Sequence, residues 1–374
     1  MINFSDNISR LRRERKITQE QLADFVGVTK ASVSKWETGL SLPDVLILPR
    51  IASFFDVTID ELLGYKPQLS KEQIEKLYAE LSGDFANKAF DEVMKRCRLL
   101  VRQYYSCYSF LLQMAVLWLN HFMLSEDKEA GMGVLEEAAG LCRHIIDNCK
   151  EIGLCNDAVA VNAMIDLYLG KAEEVIEVLE ETQNPMRLST NGDSVLIQAY
   201  QMMGDIEKAK DYTQISLYNH LLSMIGMSIS YLTLYGDDFA KCETTILRVE
   251  KLAEAYALEK LNPGNIILFW YQAAIVYATS GNRQRTLEML GKYVNIMDYY
   301  IKKEDLTLHG DDYFDRLDMW IEKLDLKGNA PRDMKVIYES ALTIFGHPAF
   351  STFSEDEDFI KLQESLIRKG EKYE

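Results

Sequence analysis

The sequence predicts an all-α protein, and three observations support that prediction. Apolar residues recur at spacings of three and four along most of the 374 residues, which is the period of a helix that buries one face. Glycines and capping residues separate these stretches at intervals. The sequence lacks the long alternating β-branched runs that strands need. We therefore expect an amino-terminal bundle of five helices followed by an array of paired helices.

Residues 18–39, TQEQLADFVGVTKASVSKWETG, predict two helices joined by a tight turn. Thr18 and Gln21 have the spacing of a capping box, which opens the first helix. Gly27 ends it, because the turn favours a residue that tolerates positive φ. Thr29 is the predicted cap of the second helix.

The second helix of this pair has two chemically different faces. Val33 and Trp36 lie three residues apart and are expected to face the core. The opposite face is small, polar and basic, and it carries Lys30, Ala31, Ser34 and Lys35. A helix of this kind fits the major groove of DNA, where lysine donates to guanine and methyl groups contact thymine.

Three further helices complete the predicted bundle. The apolar stripe of the first consists of Phe4, Ile8 and Leu11. The fourth is expected over SLPDVLILPRIASFFDV, with Pro43 in its first turn. The fifth is expected over TIDELLGY, where Thr58 and Glu61 form another capping box and Gly64 ends the helix.

Over residues 7–64 this pattern resembles the Cro/CI-type (XRE-like) domain, which has a lambda-repressor-like fold. The similarity rests on the TQEQLA opening, the glycine turn, the WExG ending and the final DELLG. It implies that Gln19 contacts a phosphate at a helix amino terminus and that Arg12 and Glu37 form a structural ion pair. It also implies a DNA-reading set, which consists of Thr29, Lys30, Ala31, Ser34 and Lys35. The alternative is a helical bundle that does not bind DNA.

The charge is distributed unevenly between the two predicted domains, residues 1–66 and residues 67–374. The first contains nine Lys and Arg and nine Asp and Glu, so the whole net charge of −17 belongs to the second. Five basic residues crowd the first helix, namely Arg10, Arg12, Arg13, Arg15 and Lys16. We expect the acidic second domain to repel DNA and so to suppress loose, non-specific binding.

Glycine-containing turns recur along the second domain. They lie at Gly83, Gly170, Gly204, Gly236 and Gly281, and residues 124–130 form a variant without glycine. The 34 residues from Gly170 to Gly204, the Gly-Asp turns and the alanines that follow resemble the tetratricopeptide repeat (TPR). The sequence therefore predicts a TPR-type α-solenoid over residues 67–374, which serves as a sensor and dimerisation domain.

The inner helices of such an array line a groove, where amides and tyrosines can hold a peptide backbone. Counting back from the turns places on this side Tyr168, Asn191, Ser194, Gln198, Gln201 and Tyr271. The alternative is that these are ordinary solvated residues. The combination of both domains resembles the peptide-pheromone regulators of the Rgg, PlcR, PrgX and NprR group, which implies a homodimer controlled by a short peptide. The groove asparagine typical of that group has two candidates, Asn162 and Asn191.

The remaining features predict a cytoplasmic, non-enzymatic protein that needs no cofactor. The sequence has no signal peptide pattern, no apolar run of the ~20 residues that cross a bilayer, and no P-loop, GxGxxG, GxSxG or HExxH motif. Its six cysteines lack CxxC spacing, which favours reduced core residues over the alternative of a metal site. We expect a DNA-binding transcriptional regulator. The alternative is a DNA-tethered scaffold that grips a partner protein without a small effector.

Overall fold

The computed structural model describes residues 3–65, 68–183, 192–303, 307–324 and 330–370. Every regular element within those ranges is a helix, as predicted, and no strand occurs there. The chain divides into two compact units. The first comprises residues 1–70 with 99–111, and the second comprises residues 71–98 with 112–374. The predicted domain boundary between residues 66 and 67 stays a prediction.

The first unit contains the five-helix bundle that the sequence predicts. Its helices are α1 (Phe4–Glu14), α2 (Gln19–Val26), α3 (Lys30–Glu37), α4 (Leu48–Phe55) and α5 (Ile59–Leu63). The predicted apolar stripes meet in one core, which includes Phe4, Ile8, Leu11, Leu22, Ala23, Val26, Val33, Trp36, Ile51, Phe55 and Leu62. The core therefore fixes α3 by one face and leaves the other to solvent.

The predicted helix ends of the bundle are confirmed. Both capping boxes form, at Thr18 and Gln21 and at Thr58 and Glu61. Gly27 has a φ of 81°, and the Thr29 hydroxyl accepts from the Ser32 backbone N–H at 3.2 Å. Local sequence chemistry thus sets the turn between α2 and α3.

The prediction for the start of α4 is wrong. Pro43 lies outside the helix, which begins at Leu48 and has Pro49 in its first turn. The Asp44 carboxylate accepts from the Leu46 N–H at 2.8 Å. This local turn competes with helix formation, and the residue before Pro43 is disfavoured in helical geometry.

The second unit is a succession of packed helices. It includes the first part of α7 and the last part of α8, because residues 99–111 belong to the first unit. Its helices are α6 (Lys71–Asn87), α7 (Phe90–Gln103), α8 (Tyr108–His121), α9 (Lys128–Asn148), α10 (Ile152–Tyr168), α11 (Ala172–Gln183), α12 (Gly192–Met202) and α13 (Ile206–Leu234). They continue as α14 (Phe239–Ala255), α15 (Leu258–Leu261), α16 (Pro263–Thr279), α17 (Arg283–Lys303), α18 (Leu317–Ile321), α19 (Met334–Thr343) and α20 (Glu357–Gly370). Neighbouring helices pack as pairs, including α9 with α10, α12 with α13 and α16 with α17, which makes this region solenoid-like.

Three of the predicted repeat turns have the expected backbone. Gly170, Gly204 and Gly281 have φ values of 76°, 77° and 73°, a left-handed conformation that side chains with a Cβ rarely adopt. Gly236 lies in the turn between α13 and α14. Gly83 is different, because it lies inside α6. The buried residues Leu81 and Phe85 continue the apolar face past this glycine, so packing outweighs its low helix propensity.

The core of the second unit is centred on α16. Phe269, Trp270, Ala273, Ala274 and Tyr277 are fully buried there, and α16 packs against both α13 and α17. With 29 residues, α13 is the longest helix among the described residues. Its first half is held by a short segment, residues 314–316, whose contacts run to α13 side chains.

Those contacts on α13 are polar as well as aromatic. Arg316 donates to Asp211 at 2.6 Å and to Glu207 at 2.5 Å. The Gln214 amide donates to Asp315 at 2.7 Å. Further along, the buried Tyr218 hydroxyl accepts from the Asn262 amide at 2.7 Å. These contacts fix α13 at several points along its length.

The apolar run at residues 110–124 is buried over its helical part, residues 110–121. It supplies most of α8, in which Phe110, Met114, Ala115 and Trp118 are buried. No helix in the described part of the chain is both long enough and apolar enough to cross a membrane.

The cysteines are free thiols, and four of the six are buried, namely Cys97, Cys107, Cys142 and Cys242. Burial raises the pKa of Cys97 to about 11 and that of Cys142 to about 12. Within the described ranges, no group of His, Cys, Asp and Glu residues has metal-binding geometry.

Candidate nucleic-acid interface and ligand cavity

The outer face of α3 contains the predicted DNA-reading residues. Thr29, Lys30, Ala31 and Lys35 are exposed, whereas Ser34 is half-buried. The opposite face is anchored by Val33 and Trp36, which are 0% and 4% exposed. The helix therefore presents a small basic surface from a rigid position.

The two lysines of this face are available for anions. The Lys30 ammonium lies 3.8 Å from Glu20, and both side chains are exposed, so their attraction is weak. Lys35 forms no ion pair with any described residue. Thr29 is engaged differently, since its hydroxyl caps α3 and lies 2.9 Å from the Ser32 hydroxyl. The lysines are thus the charged contacts that α3 offers.

The predicted ion pair between Arg12 and Glu37 is confirmed. The Arg12 Nε donates to Glu37 Oε1 at 2.5 Å, and Nη2 donates to Oε2 at 3.0 Å. Burial opposes ionisation of Glu37, but hydrogen bonds from Arg12 and Gln19 outweigh it and lower the pKa of the carboxyl. Arg12 also donates to the Ile17 carbonyl at 2.8 Å. The pair therefore ties α1, the α1–α2 turn and α3 together.

Gln19 belongs to the same network. Its amide donates to Glu37 Oε2 at 2.9 Å, and the residue occupies the first position of α2. Sequence reasoning assigned Gln19 to a phosphate contact and did not foresee this hydrogen bond. The side chain thus links the predicted phosphate-binding end of α2 to the end of α3.

Most of the five basic residues in α1 and directly after it have intramolecular partners. Arg10 pairs with Glu14 at 3.0 Å. Arg15 donates to the Phe54 carbonyl, and its guanidinium lies 5.5 Å from the centroid of the Phe54 ring. In the described ranges, Arg13 and Lys16 form no ion pair. The basic character of α1 is therefore partly used for structure.

Two of the predicted peptide-binding residues lie on α10. The half-buried Asn162 donates to Asp166 at 2.6 Å, and its own carbonyl oxygen has no hydrogen-bond partner in the described part of the protein. Tyr168 is 58% exposed and packs edge-on against Phe122. The other asparagine candidate, Asn191, lies outside the described residues.

Three more predicted peptide-binding residues, Ser194, Gln198 and Gln201, are exposed on α12. Gln201 lines a small cavity that also contains Arg316. Next to Ser194, the Asp193 carboxylate accepts from Ser216 and from His220 at 2.8 Å, and these bonds lower its pKa to about 2.

The Asp193 cluster has the residue types of a catalytic triad but not its geometry. Asp193 lies between Ser216 and His220, whereas a nucleophilic serine needs the imidazole as its hydrogen-bond partner. The cluster joins α12 to α13 and activates no hydroxyl.

Tyr271 lines a cavity of about 550 Å³ in the second unit. Most of the wall comes from α16, α17, α19 and the segment before α19, and single residues before α16, after α17 and on α8 complete it. Its main lining residues are Asn120, Asn262, Ile267, Leu268, Tyr271, Tyr293, Met297, Tyr300, Leu308, Pro331, Arg332 and Ile337. The volume lies within the ~300–1,000 Å³ typical of ligand sites.

The cavity is apolar with a few polar groups that face it. The Tyr271 and Tyr293 rings lie 6.2 Å apart, and neither hydroxyl has a hydrogen-bond partner in the described ranges. Burial raises the pKa of both tyrosines. Arg332 forms no ion pair with a described residue, and the described residues of the lining include no Asp or Glu. The described lining is therefore neutral apart from one unpaired cation.

Sequence reasoning found only Tyr271 of this cavity. It gave no ligand-binding role to Asn120, Asn262, Tyr300 or Arg332. The signal for Arg332 lies in the stretch APRDMK, where Asp333 caps α19 and the preceding Pro331 fixes the backbone. Which cavity such a segment covers depends on the packing of α16, α17 and α19, and periodicity does not reveal it.

Comparison with known proteins places residues 8–62 in the family described as helix-turn-helix. These residues form a helix-turn-helix domain. The HTH-type transcriptional activator BcrR of Enterococcus faecalis is 43% identical over 63 residues, which are 17% of this chain and 31% of that protein. The cryptic phage CTXphi transcriptional repressor RstR of Vibrio cholerae is 41% identical over 58 residues, which are 15% and 52% of the two chains.

Another relative matches over a stretch of similar length. The uncharacterized HTH-type transcriptional regulator YqaE of Bacillus subtilis is 37% identical over 60 residues, which are 16% of this chain and 52% of that protein. The chain thus spans about a third to a half of the length of these curated relatives. Among solved structures, the apo form of the competence regulator ComR from Streptococcus vestibularis matches 86% of this chain and 97% of its own, with 16% identity and a TM-score of 0.24. A TM-score this low carries no conclusion about this chain.

Proposed function

We propose that this protein is a sequence-specific DNA-binding transcriptional regulator. The observation that carries the proposal is α3 of the helix-turn-helix domain, a helix anchored by Val33 and Trp36 with Lys30 and Lys35 exposed on its outer face. A helix with one buried face can enter the major groove without losing its position. The names of two relatives, a transcriptional activator and a transcriptional repressor, support the same function.

In this proposal, α3 reads bases and α2 positions the domain on the phosphates. Lys30 and Lys35 donate to guanine, and the Ala31 methyl contacts thymine. Ser34 and Thr29 add contacts to the sugar-phosphate backbone of the DNA. Gln19, at the start of α2, approaches a phosphate where the helix dipole and the unpaired N–H groups favour an anion. The Arg12–Glu37 pair holds α1 against α3, and the hydrogen bond from Gln19 to Glu37 joins α2 to the end of α3.

The protein is proposed to act as a homodimer. One eight-residue recognition helix makes few contacts, so tight binding calls for two half-sites about one helical turn, ~34–36 Å, apart. The hairpin formed by α12 and α13 exposes a set of apolar side chains, which we call the hairpin surface: Val195, Leu196, Met202, Met203 and Ile206. Met202 and Met203 are 89% and 83% exposed, and apolar groups this exposed favour a protein contact.

We further propose that a short peptide bound to the second unit changes the affinity for DNA. Supporting observations are the ligand-sized cavity at Tyr271 and the unpartnered carbonyl oxygen of Asn162. A ligand controls DNA binding only if it favours one arrangement of the protein over another. A differential of ~1–3 kcal/mol would change DNA affinity ~5–150-fold, and DNA would change peptide affinity by the same factor.

Selection of DNA from a random library by the full-length protein tests the core of this proposal. We expect enrichment of a sequence with two related half-sites, and binding that weakens with salt. The absence of any enriched sequence would contradict base reading by α3. Calorimetry with a peptide fraction from the host culture then tests the effector.

A scaffold that grips a partner protein is the second candidate function, because the hairpin surface suits a protein partner as well as a second copy. The two differ in one outcome. An effector changes DNA affinity when it is added to purified protein, whereas a scaffold needs its partner protein and does not respond to the peptide fraction.

A further inference from the structure

The cavity at Tyr271 is better suited to one ligand chemistry than to others. Its walls are largely apolar, which favours an aromatic or branched aliphatic group. Two tyrosine hydroxyls, on Tyr271 and Tyr293, lack partners among the described residues. A ligand that enters with an apolar body and a hydrogen-bonding end would satisfy both features.

The charge of the cavity favours a ligand whose hydrogen-bonding end is negatively charged. Arg332 supplies a cation, and none of the lining residues that the structure describes is acidic. The guanidinium can bind a carboxylate with two parallel hydrogen bonds, which are strong because both partners are charged. The acidic remainder of the second unit repels free anions, so the cavity is a local exception to the surrounding charge.

The wall that contains Arg332 is attached to α6, the helix that follows the helix-turn-helix domain in the chain. The Pro331 carbonyl accepts from the Tyr78 hydroxyl at 3.0 Å and from the Ser82 hydroxyl at 3.4 Å. Lys71, at the start of α6, donates to the carbonyls of Glu322 and Lys323. Three residues on α6 thus hold the chain on either side of residues 325–329.

We propose that this cavity binds an apolar group that ends in a carboxylate, with Arg332 as its charge partner, and that Pro331 transmits occupancy to α6. Two sources have this chemistry, the carboxyl end of a peptide and a small aromatic acid. A carboxylate that binds the Arg332 guanidinium would shift the backbone of the adjacent Pro331. The Pro331 carbonyl accepts the hydrogen bonds from Tyr78 and Ser82, so the shift would reach α6. The inference rests on the proposed effector control, to which it adds a site and a ligand class.

Binding of defined probes to the full-length protein tests the site. The probes are N-acetyl-Leu-Phe and 3-phenylpropanoate, each compared with its uncharged amide by calorimetry. We expect at least one acid to bind ~10-fold more tightly than its amide, and Arg332→Gln to abolish that difference. Arg368→Gln removes the same charge from an exposed position on α20, and this control variant is expected to retain the preference for the acid. A tighter dipeptide indicates a peptide end, and a tighter phenylpropanoate indicates a small acid.

The site is refuted if no probe binds the wild-type protein, if acid and amide bind equally, or if Arg332→Gln keeps the preference. Transmission is tested with the double variant Tyr78→Phe, Ser82→Ala on the selected DNA. We expect this variant to bind the acid as the wild type does but to lose the change in DNA affinity that the acid produces in the wild type. An unchanged response would overturn the role of Pro331. If the host peptide fraction changes the DNA affinity of Arg332→Gln as much as that of the wild type, effector control is supported and this site is refuted. If the acid binds through Arg332 but neither the acid nor the peptide fraction changes the DNA affinity of the wild type, the site is supported and effector control is refuted.

Discussion

Arg12 in α1 and Glu37 at the end of α3 form a two-bond ion pair, with distances of 2.5 and 3.0 Å, 25 residues apart in the sequence. The side chains are only 15% and 7% exposed. Gln19 adds a third hydrogen bond to the same carboxylate. The position of α3 therefore depends on one buried charge and its partners.

Replacing Arg12 with Met should destabilise the helix-turn-helix domain by on the order of 3 kcal/mol, because Glu37 would remain buried without its cation. Hydrogen exchange of the α1–α3 amides in the full-length protein measures the change. The matched control is Arg10→Met, which breaks an exposed pair with Glu14 and should cost less than about 1 kcal/mol. Equal effects of the two variants would contradict a structural role for the Arg12–Glu37 pair.

Lys35→Ala and Lys30→Ala should each weaken binding to the selected DNA by ~1–3 kcal/mol and relax the preference at one base pair. Titration of fluorescent selected DNA and of randomised DNA measures both effects. Lys128→Ala removes an exposed lysine from the start of α9 and should leave both affinities unchanged. Selected-site affinity that survives both α3 substitutions would remove these lysines from the reading set.

Gln19→Ala should weaken binding to selected and randomised DNA alike, since a phosphate contact does not depend on sequence. It should also speed hydrogen exchange at the end of α3, because Glu37 loses one of its donors. Affinity that falls only for the selected sequence would instead assign Gln19 to base reading.

His121 should make the stability of the second unit depend on pH. The residue is fully buried, and burial lowers its pKa to about 4 in the folded chain, whereas the unfolded value is ~6.5. The unfolded chain therefore takes up the proton first as pH falls. The contribution of the neutral His121 to the free energy of unfolding is fully present above pH ~6.5. It is lost as the pH falls toward ~4, which lowers the stability by up to about 3 kcal/mol.

Comparison of His121→Gln with the wild type between pH 7 and pH 4 tests this dependence. Denaturant unfolding should show a shallower loss of stability in the variant, while His309→Gln, at an exposed position, should follow the wild type. Parallel curves for all three proteins would mean that His121 does not titrate differently in the folded and unfolded states.

A dimer should have twice the chain mass of 43.0 kDa in light scattering at micromolar concentration. Met202→Glu with Met203→Glu should favour the monomer, because the hairpin surface would then bury two charges. Met123→Glu changes another exposed methionine, with 74% exposure, and serves as the control. A wild-type monomer with and without selected DNA would exclude the proposed dimer. An unchanged dimer in the double variant would move the interface elsewhere.

The helix-turn-helix domain could be predicted from its sequence almost element by element. Its ends are set by short-range chemistry, such as the Thr18 capping box and the Gly27 turn, which a single sequence displays. The start of α4 escaped prediction because Asp44 makes a local turn that resembles a helix start in sequence. In the second unit, Gly83 was misassigned because the buried neighbours Leu81 and Phe85 keep α6 intact across it.

The candidate ligand cavity was largely invisible to sequence reasoning. Asn262, Tyr293 and Arg332 come from distant parts of the chain and meet only through the packing of α16, α17 and the segment before α19. Helical periodicity indicates which residues are buried together along one helix, but not which helices share a cavity. The predicted Ser194, Gln198 and Gln201 are exposed, and their assignment to a peptide stays a prediction.

The 29 residues of α13 make it a rod of about 43 Å, at 1.5 Å per residue. Residues 314–316 grip its first half, and the α16 core holds its middle through Asn262 and Tyr218. Its far half is held as well, since Ile225 and Leu232 are buried in the core of the second unit. The rod therefore moves only together with the helices packed around it, so an adjustment beside Arg316 is passed on to α16 and not absorbed within α13.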